Sequence, residues 1–114
     1  MSRVYVPATV DLLAGWYAAG ALPRVEEGYV APDESEEGEY AALMSAADAS
    51  TELLAGPGRR VVVVVDTMAE TGPVPLREVV AVHADPTDRP ADADPDEDLG
   101  WFATQEIPDL IAQP

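Results

Sequence analysis

"RRVVVVVD" (Arg59–Asp66) places five valines in a row. Valine is stiff at χ1 and packs well on a pleated surface, so the stretch reads as a β-strand. Successive side chains point to opposite faces, and here both faces are apolar. Such a strand is normally central in its sheet and covered on both sides. The run is far too short to cross a bilayer.

Working outward, "LREVVAVHAD" (Leu76–Asp85) is the next strand. The link "TMAETGPVP" is too short and too rich in Gly and Pro for a crossover helix, so the two strands are expected to pair antiparallel. On the other side, "DESEEGEYAALMSAADASTELLAGPG" is the clearest helix. Asp33 and Glu36 have capping-box spacing, and Glu34, Glu36 and Glu37 crowd the positive helix end. Tyr40, Leu43, Met44, Ala47 and Leu54 mark its expected buried stripe. Gly56-Pro57-Gly58 ends it.

"RVYVPA" (Arg3–Ala8) predicts a first strand, with Val4 and Val6 on one face and Arg3 and Tyr5 on the other. Thr9 fits the cap of a first helix. Val10, Leu13 and Tyr17 form one stripe of that helix, with Leu12, Trp16 and Ala19 beside it. Gly20 and Pro23 close it. "EEGYVAP" (Glu26–Pro32) predicts an edge strand limited by Pro32. "WFATQEIPDLIAQP" predicts a short strand at Trp101–Ala103, then a helix capped near Thr104 with Ile107, Leu110 and Ile111 facing the core. The order β-α-β-α-β-β-β-α predicts an α+β two-layer sandwich: a mostly antiparallel sheet with about three helices. One domain is expected over residues 1–114. Its Asp/Pro-rich stretch, residues 85–99, reads as a solvated, mobile loop.

The 114 residues carry 22 acidic side chains against six arginines, no lysine and no cysteine, with a net charge of -16. Zinc–thiolate sites, disulfides and cysteine nucleophiles are excluded. Nucleic acid and anionic membranes are not expected as partners, because the chain lacks the cations that would neutralise phosphates. A protein partner would be basic or uncharged. The "MSRVYVPAT" start lacks the apolar run of a secretory signal, and a cytoplasmic location is expected.

His83 is the only histidine. On an alternating strand it shares a face with Val79, Ala81 and Asp85. A carboxylate beside it, Asp85 or Glu106, could orient it as a general base. Trp101, Gln105 and Glu106 at the last strand–helix junction form a candidate pocket or interface. The aspartates at 92, 94, 96 and 98 do not make a calcium loop. A start at Asp92 puts Glu97 and Ala103 where the sixth-place glycine and twelfth-place glutamate belong, and a start at Asp94 puts Leu99 and Gln105 there. No metal and no cofactor are expected.

"RVYVPAT", "EYAAL", "VAVHAD" and "WFATQEIPDL" together resemble a family of short uncharacterised proteins from high-GC bacteria, classed as a domain of unknown function. The resemblance spans nearly the whole chain and is weakest in the Asp/Pro loop. It implies a small cytoplasmic domain and assigns no catalytic residue. Where that family's pattern has a tyrosine, this chain has Phe102. Three functions follow as expectations. The first is a non-enzymatic binding or regulatory module with its interface at Trp101–Glu106. The second is a small enzyme using His83 with Asp85 or Glu106. The third is an acidic mimic or sequestering protein for a basic partner.

Overall fold

The computed structural model describes residues 2–112. The valine run becomes β4 (Val61–Thr67), the middle strand of a five-stranded sheet. Beside it lie β1 (Ser2–Ala8) on one side and β6 (Val79–Ala84) on the other. The edges are β3 (Tyr29–Val30) next to β1 and β7 (Gly100–Phe102) next to β6. All four pairings are antiparallel. Two further short strands, β2 (Ala21–Leu22) and β5 (Val74–Pro75), form a separate antiparallel ribbon. Neither β2 nor β5 carries enough periodicity to be read from sequence.

Three helices complete the expected α+β class: α1 (Val10–Ala19), α2 (Glu36–Leu54) and α3 (Ile107–Ala112). They are shared between both faces of the sheet, so the two expected layers gain a third. Val61, Val63 and Val65 pack with Leu13 of α1, Leu22, Val74, and Ile107 and Leu110 of α3. Val62 and Val64 pack with Tyr5 and with Ala42, Ala46 and Ala47 of α2. Alternation along one apolar strand thus divides the core in two. Gln113 and Pro114, the end of the segment expected to be helical, lie outside the described residues.

The face that α2 buries differs from the expected stripe. Gly38, Ala42, Ala46, Ala47 and Ser50 are buried, whereas Tyr40 is exposed and Leu43, Met44 and Leu54 are half-buried. Small side chains at four-residue spacing let the helix lie close over a sheet already filled by valine methyls. The larger residues flank the contact. The helix also starts differently. Ser35 caps it by accepting from the Gly38 N–H at 3.0 Å, and Asp33 accepts from the backbone and hydroxyl of Ser35. Asp33 therefore supports the cap and does not form it. On α1, Leu13 is buried while Leu12 and Tyr17 are exposed, and Val10 and Trp16 pack against the core from its margin. Thr9 and Gly20 cap this helix as expected, with Gly20 in the left-handed region at φ 82.

Ser50 ties the layers together. Its hydroxyl donates to the Ala8 carbonyl at 2.7 Å and accepts from the Val61 N–H at 2.9 Å, fully buried at the end of the β1–β4 pair. Ser50→Ala leaves one donor and one acceptor buried without that partner. A loss of about 1–3 kcal/mol in urea denaturation is expected.

β6 carries a bulge. Val64 faces Ala81 but Val65 faces Val79, so Val80 is the extra residue and is exposed. The bulge puts Val79 on the α1–α3 face with Val82 and Ala84, while Ala81 stays on the α2 face. The expectation that His83 shares a face with Val79 is therefore corrected, because a one-residue insertion reverses the pleat beyond it.

Candidate functional site

His83 lies on the α2 face of β6, directly between Val62 on β4 and Trp101 on β7. It is half-buried, and burial pushes its imidazole below the ordinary histidine range. It forms no ion pair among the described residues. Pairing of β7 beside β6 thus brings Trp101 to His83 but brings neither candidate carboxylate into a salt bridge with it.

Asp85 is occupied elsewhere. Its carboxylate accepts from Arg60 Nε at 2.9 Å and Arg60 Nη2 at 2.8 Å, a bidentate pair, and also from the Arg60 backbone N–H at 2.9 Å. Both residues are buried, at 1% and 2% exposure. Burial alone would push the Asp85 carboxyl up, but the Arg60 hydrogen bonds and charge, with Arg89 at 3.7 Å, hold it below the usual carboxylate range. Arg59 donates from Nε to the Asp85 carbonyl at 2.7 Å, and its buried Nη2 has no acceptor among the described residues.

This arginine cluster organises the loop that follows. Arg60 donates to the carbonyls of Pro95 at 3.2 Å and Glu97 at 2.8 Å. Arg89 pairs its backbone with Gly58 in both directions, at 2.9 and 3.0 Å. Tyr40 donates to Asp98 at 2.9 Å, and Leu99 packs on the α2-side core. Residues 86–98 of the loop are mostly exposed. The cluster was legible in part. An antiparallel register from Val61 to Ala84 places Asp85 opposite Arg60, and a carboxylate opposite an arginine at a strand end is a pair.

Gln105 and Glu106 are exposed on a 3₁₀ turn (Thr104–Glu106) leading into α3. Glu106 accepts from the Ala103 N–H at 3.3 Å, and Thr104 donates to the Val79 carbonyl at 3.2 Å. Glu106 thus caps its own turn at the Val79 end of β6, while Trp101 pairs at the His83 end. Phe102 faces the other way, against the α1–α3 core. Trp101 alone of the aromatic residues is more exposed than buried, at 62%.

The larger cavities flank the opposite edge of the sheet. One of about 400 Å³ lies on the α2 side, between Arg3, Glu39 and Asp66 and the Val30–Glu34 segment. Arg3 is held there by Glu39 at 3.1 Å and Asp66 at 3.6 Å. A second, of about 330 Å³, lies on the other face, between Val4, Val25, Ala69 and Glu70. No group of three His, Asp or Glu side chains among the described residues is placed to hold a metal ion. No helix among them is long and apolar enough to cross a membrane.

The model of a family of unknown function, DUF6912, matches residues 2–111. The chain belongs to that family. The match takes in the whole DUF6912 sheet, from Ser2 on β1 through β7, and all but the last residue of α3. No curated protein and no solved structure matches this DUF6912 member.

Proposed function

We propose that this domain is a non-enzymatic binding module that recognises a basic protein segment through the β7 edge. The observation that carries the reading is Trp101, a large indole 62% exposed on a strand whose outer edge is unpaired in the sheet. Exposed tryptophans at strand edges suit the role of binding anchors, since a rigid aromatic surface is ordered at little entropic cost. The chain reaches Trp101 from a segment holding Asp92, Asp94, Asp96, Glu97 and Asp98, all exposed. An arginine or lysine stacked on the indole would gain a cation–π contact while these carboxylates steer its approach. Three of the six arginines, Arg59, Arg60 and Arg89, are turned inward at the loop anchor, which leaves few surface cations to compete.

The test uses the full chain with Trp16→Phe, so that Trp101 is its single indole. Titration with an arginine-rich peptide is expected to quench its fluorescence. Trp101→Ala, followed by calorimetry, is expected to weaken binding at least ~10-fold, the scale of an aromatic anchor. Equal affinity with and without Trp101 would overturn the assignment.

A further inference from the structure

The β3 edge differs from the β7 edge in having room on both sides. β1 pairs with β4 along its full length, but on its other side it pairs with β3 only at Val4 and Tyr5. Beyond Val30 the chain bends at Pro32, and among the described residues no strand pairs with Ser2 and Arg3 on that side. Ser2 and Val30 line both cavities, and Val30 is 60% exposed. The two cavities are therefore the upper and lower halves of one break in the sheet edge. They differ in chemistry. The α2-side cavity has four carboxylates, from Asp33, Glu34, Glu39 and Asp66, against the single guanidinium of Arg3. The cavity on the opposite face is walled by Val4, Val25, Val30 and Ala69, with two exposed carboxylates, Glu70 and Glu26, the latter held by the Gly72 N–H at 2.8 Å.

We infer that this edge receives an extended peptide strand with basic and apolar residues in alternation. A strand laid along the edge sends successive side chains to opposite faces of the sheet. Its odd residues would enter the carboxylate-lined cavity and its even residues the valine-lined one. Five residues span about 17 Å, enough to cover the corner. Arginine or lysine fits the first cavity because its lining has more carboxylates, four against two. Branched aliphatic residues fit the second. A second copy of this chain is a poor occupant. With a net charge of -16 it would repel its twin, and like charges brought together at an edge destabilise pairing. The site is independent of the Trp101 reading, because β3 and β7 are opposite ends of the sheet.

The probe is the capped peptide Arg-Val-Arg-Val-Arg, titrated into the full chain with amide shifts followed by NMR. Shifts are expected at Ser2, Gly28 and Val30, whether or not the Trp101 indole also shifts. Backbone N-methylation of the peptide should abolish them, since strand addition uses main-chain hydrogen bonds. Replacing its valines with serine should weaken binding, and Glu-Val-Glu-Val-Glu should not bind. Glu34→Gln, an exposed residue with no side-chain hydrogen bond or ion pair in the structure, should weaken binding severalfold without affecting the fold. Trp101→Ala should leave the shifts at Ser2, Gly28 and Val30 unchanged. The inference is overturned if the N-methylated or acidic peptide binds equally well, if Ser2, Gly28 and Val30 do not shift, or if the chain dimerises through β3 in place of binding peptide.

Discussion

Asp85→Ala is expected to destabilise the fold by about 3–5 kcal/mol, the range seen when one partner of a buried ion pair is removed. Arg60 then keeps its charge in a site 1% exposed, with Nε and the backbone N–H lacking their acceptor and Nη2 left with only the Glu97 carbonyl. For a domain whose total stability is expected to be about 5–15 kcal/mol, this is a large fraction. Urea denaturation of the variant measures it, and a loss below about 1 kcal/mol would show that the pair carries little of the fold. A double replacement, Arg60→Met with Asp85→Leu, is expected to recover much of the loss, because burying neither charge removes the desolvation cost. Acid should act through the same pair. The folded-state carboxyl of Asp85 lies below its unfolded value, so the folded state binds fewer protons. Its contribution is complete above the unfolded carboxylate value of about 3.9 and is lost as pH falls through the folded one. His83 adds a gentler decline earlier. Burial lowers its folded value, so stability starts to fall as pH drops below about 6.5.

Leu110→Ala is expected to cost about 2–5 kcal/mol. α3 has six residues, too few to persist as an isolated helix. Its attachment rests on two buried side chains, Ile107 and Leu110, each 1% exposed. Losing one leaves a cavity against Leu13, Val74 and the valine face, and the helix is too short to retain its place on the other alone. Hydrogen exchange should report the change locally, with amides of residues 107–112 losing protection before those of β4. Uniform loss across the sheet would instead mean that α3 is part of the cooperative core.

The valine run told most about the fold because five identical apolar residues leave only one kind of environment, a strand covered twice. Capping was legible where a hydroxyl preceded an apolar run, as at Thr9. It shifted by two residues at the start of α2, where Asp33 and Ser35 are both suitable and the structure uses them in series. The buried face of α2 does not follow side-chain size, the sign of burial that its sequence offers. Over a valine sheet, closeness favours Ala, Gly and Ser. The bulge at Val80 could not be read, since an inserted valine in a valine-rich strand changes no pattern. Of the candidate site residues, the sequence paired His83 with Asp85 by spacing along one strand. The structure pairs Asp85 across strands with Arg60, and buried arginines are the exception against which hydropathy reading is weakest.

Arg60 holds the acidic loop by the carbonyls of Pro95 and Glu97, and Gly58 holds it by the backbone of Arg89. These grips touch atoms that nearly every residue type possesses. Apart from Arg89, which pairs with Asp85, and Asp98, which accepts from Tyr40, the side chains between Asp85 and Leu99 are largely released from folding duty, and the segment behaves like an interchangeable display mounted on a fixed bracket. Its wording can drift, or be rewritten by design, while the scaffold beneath it keeps its shape.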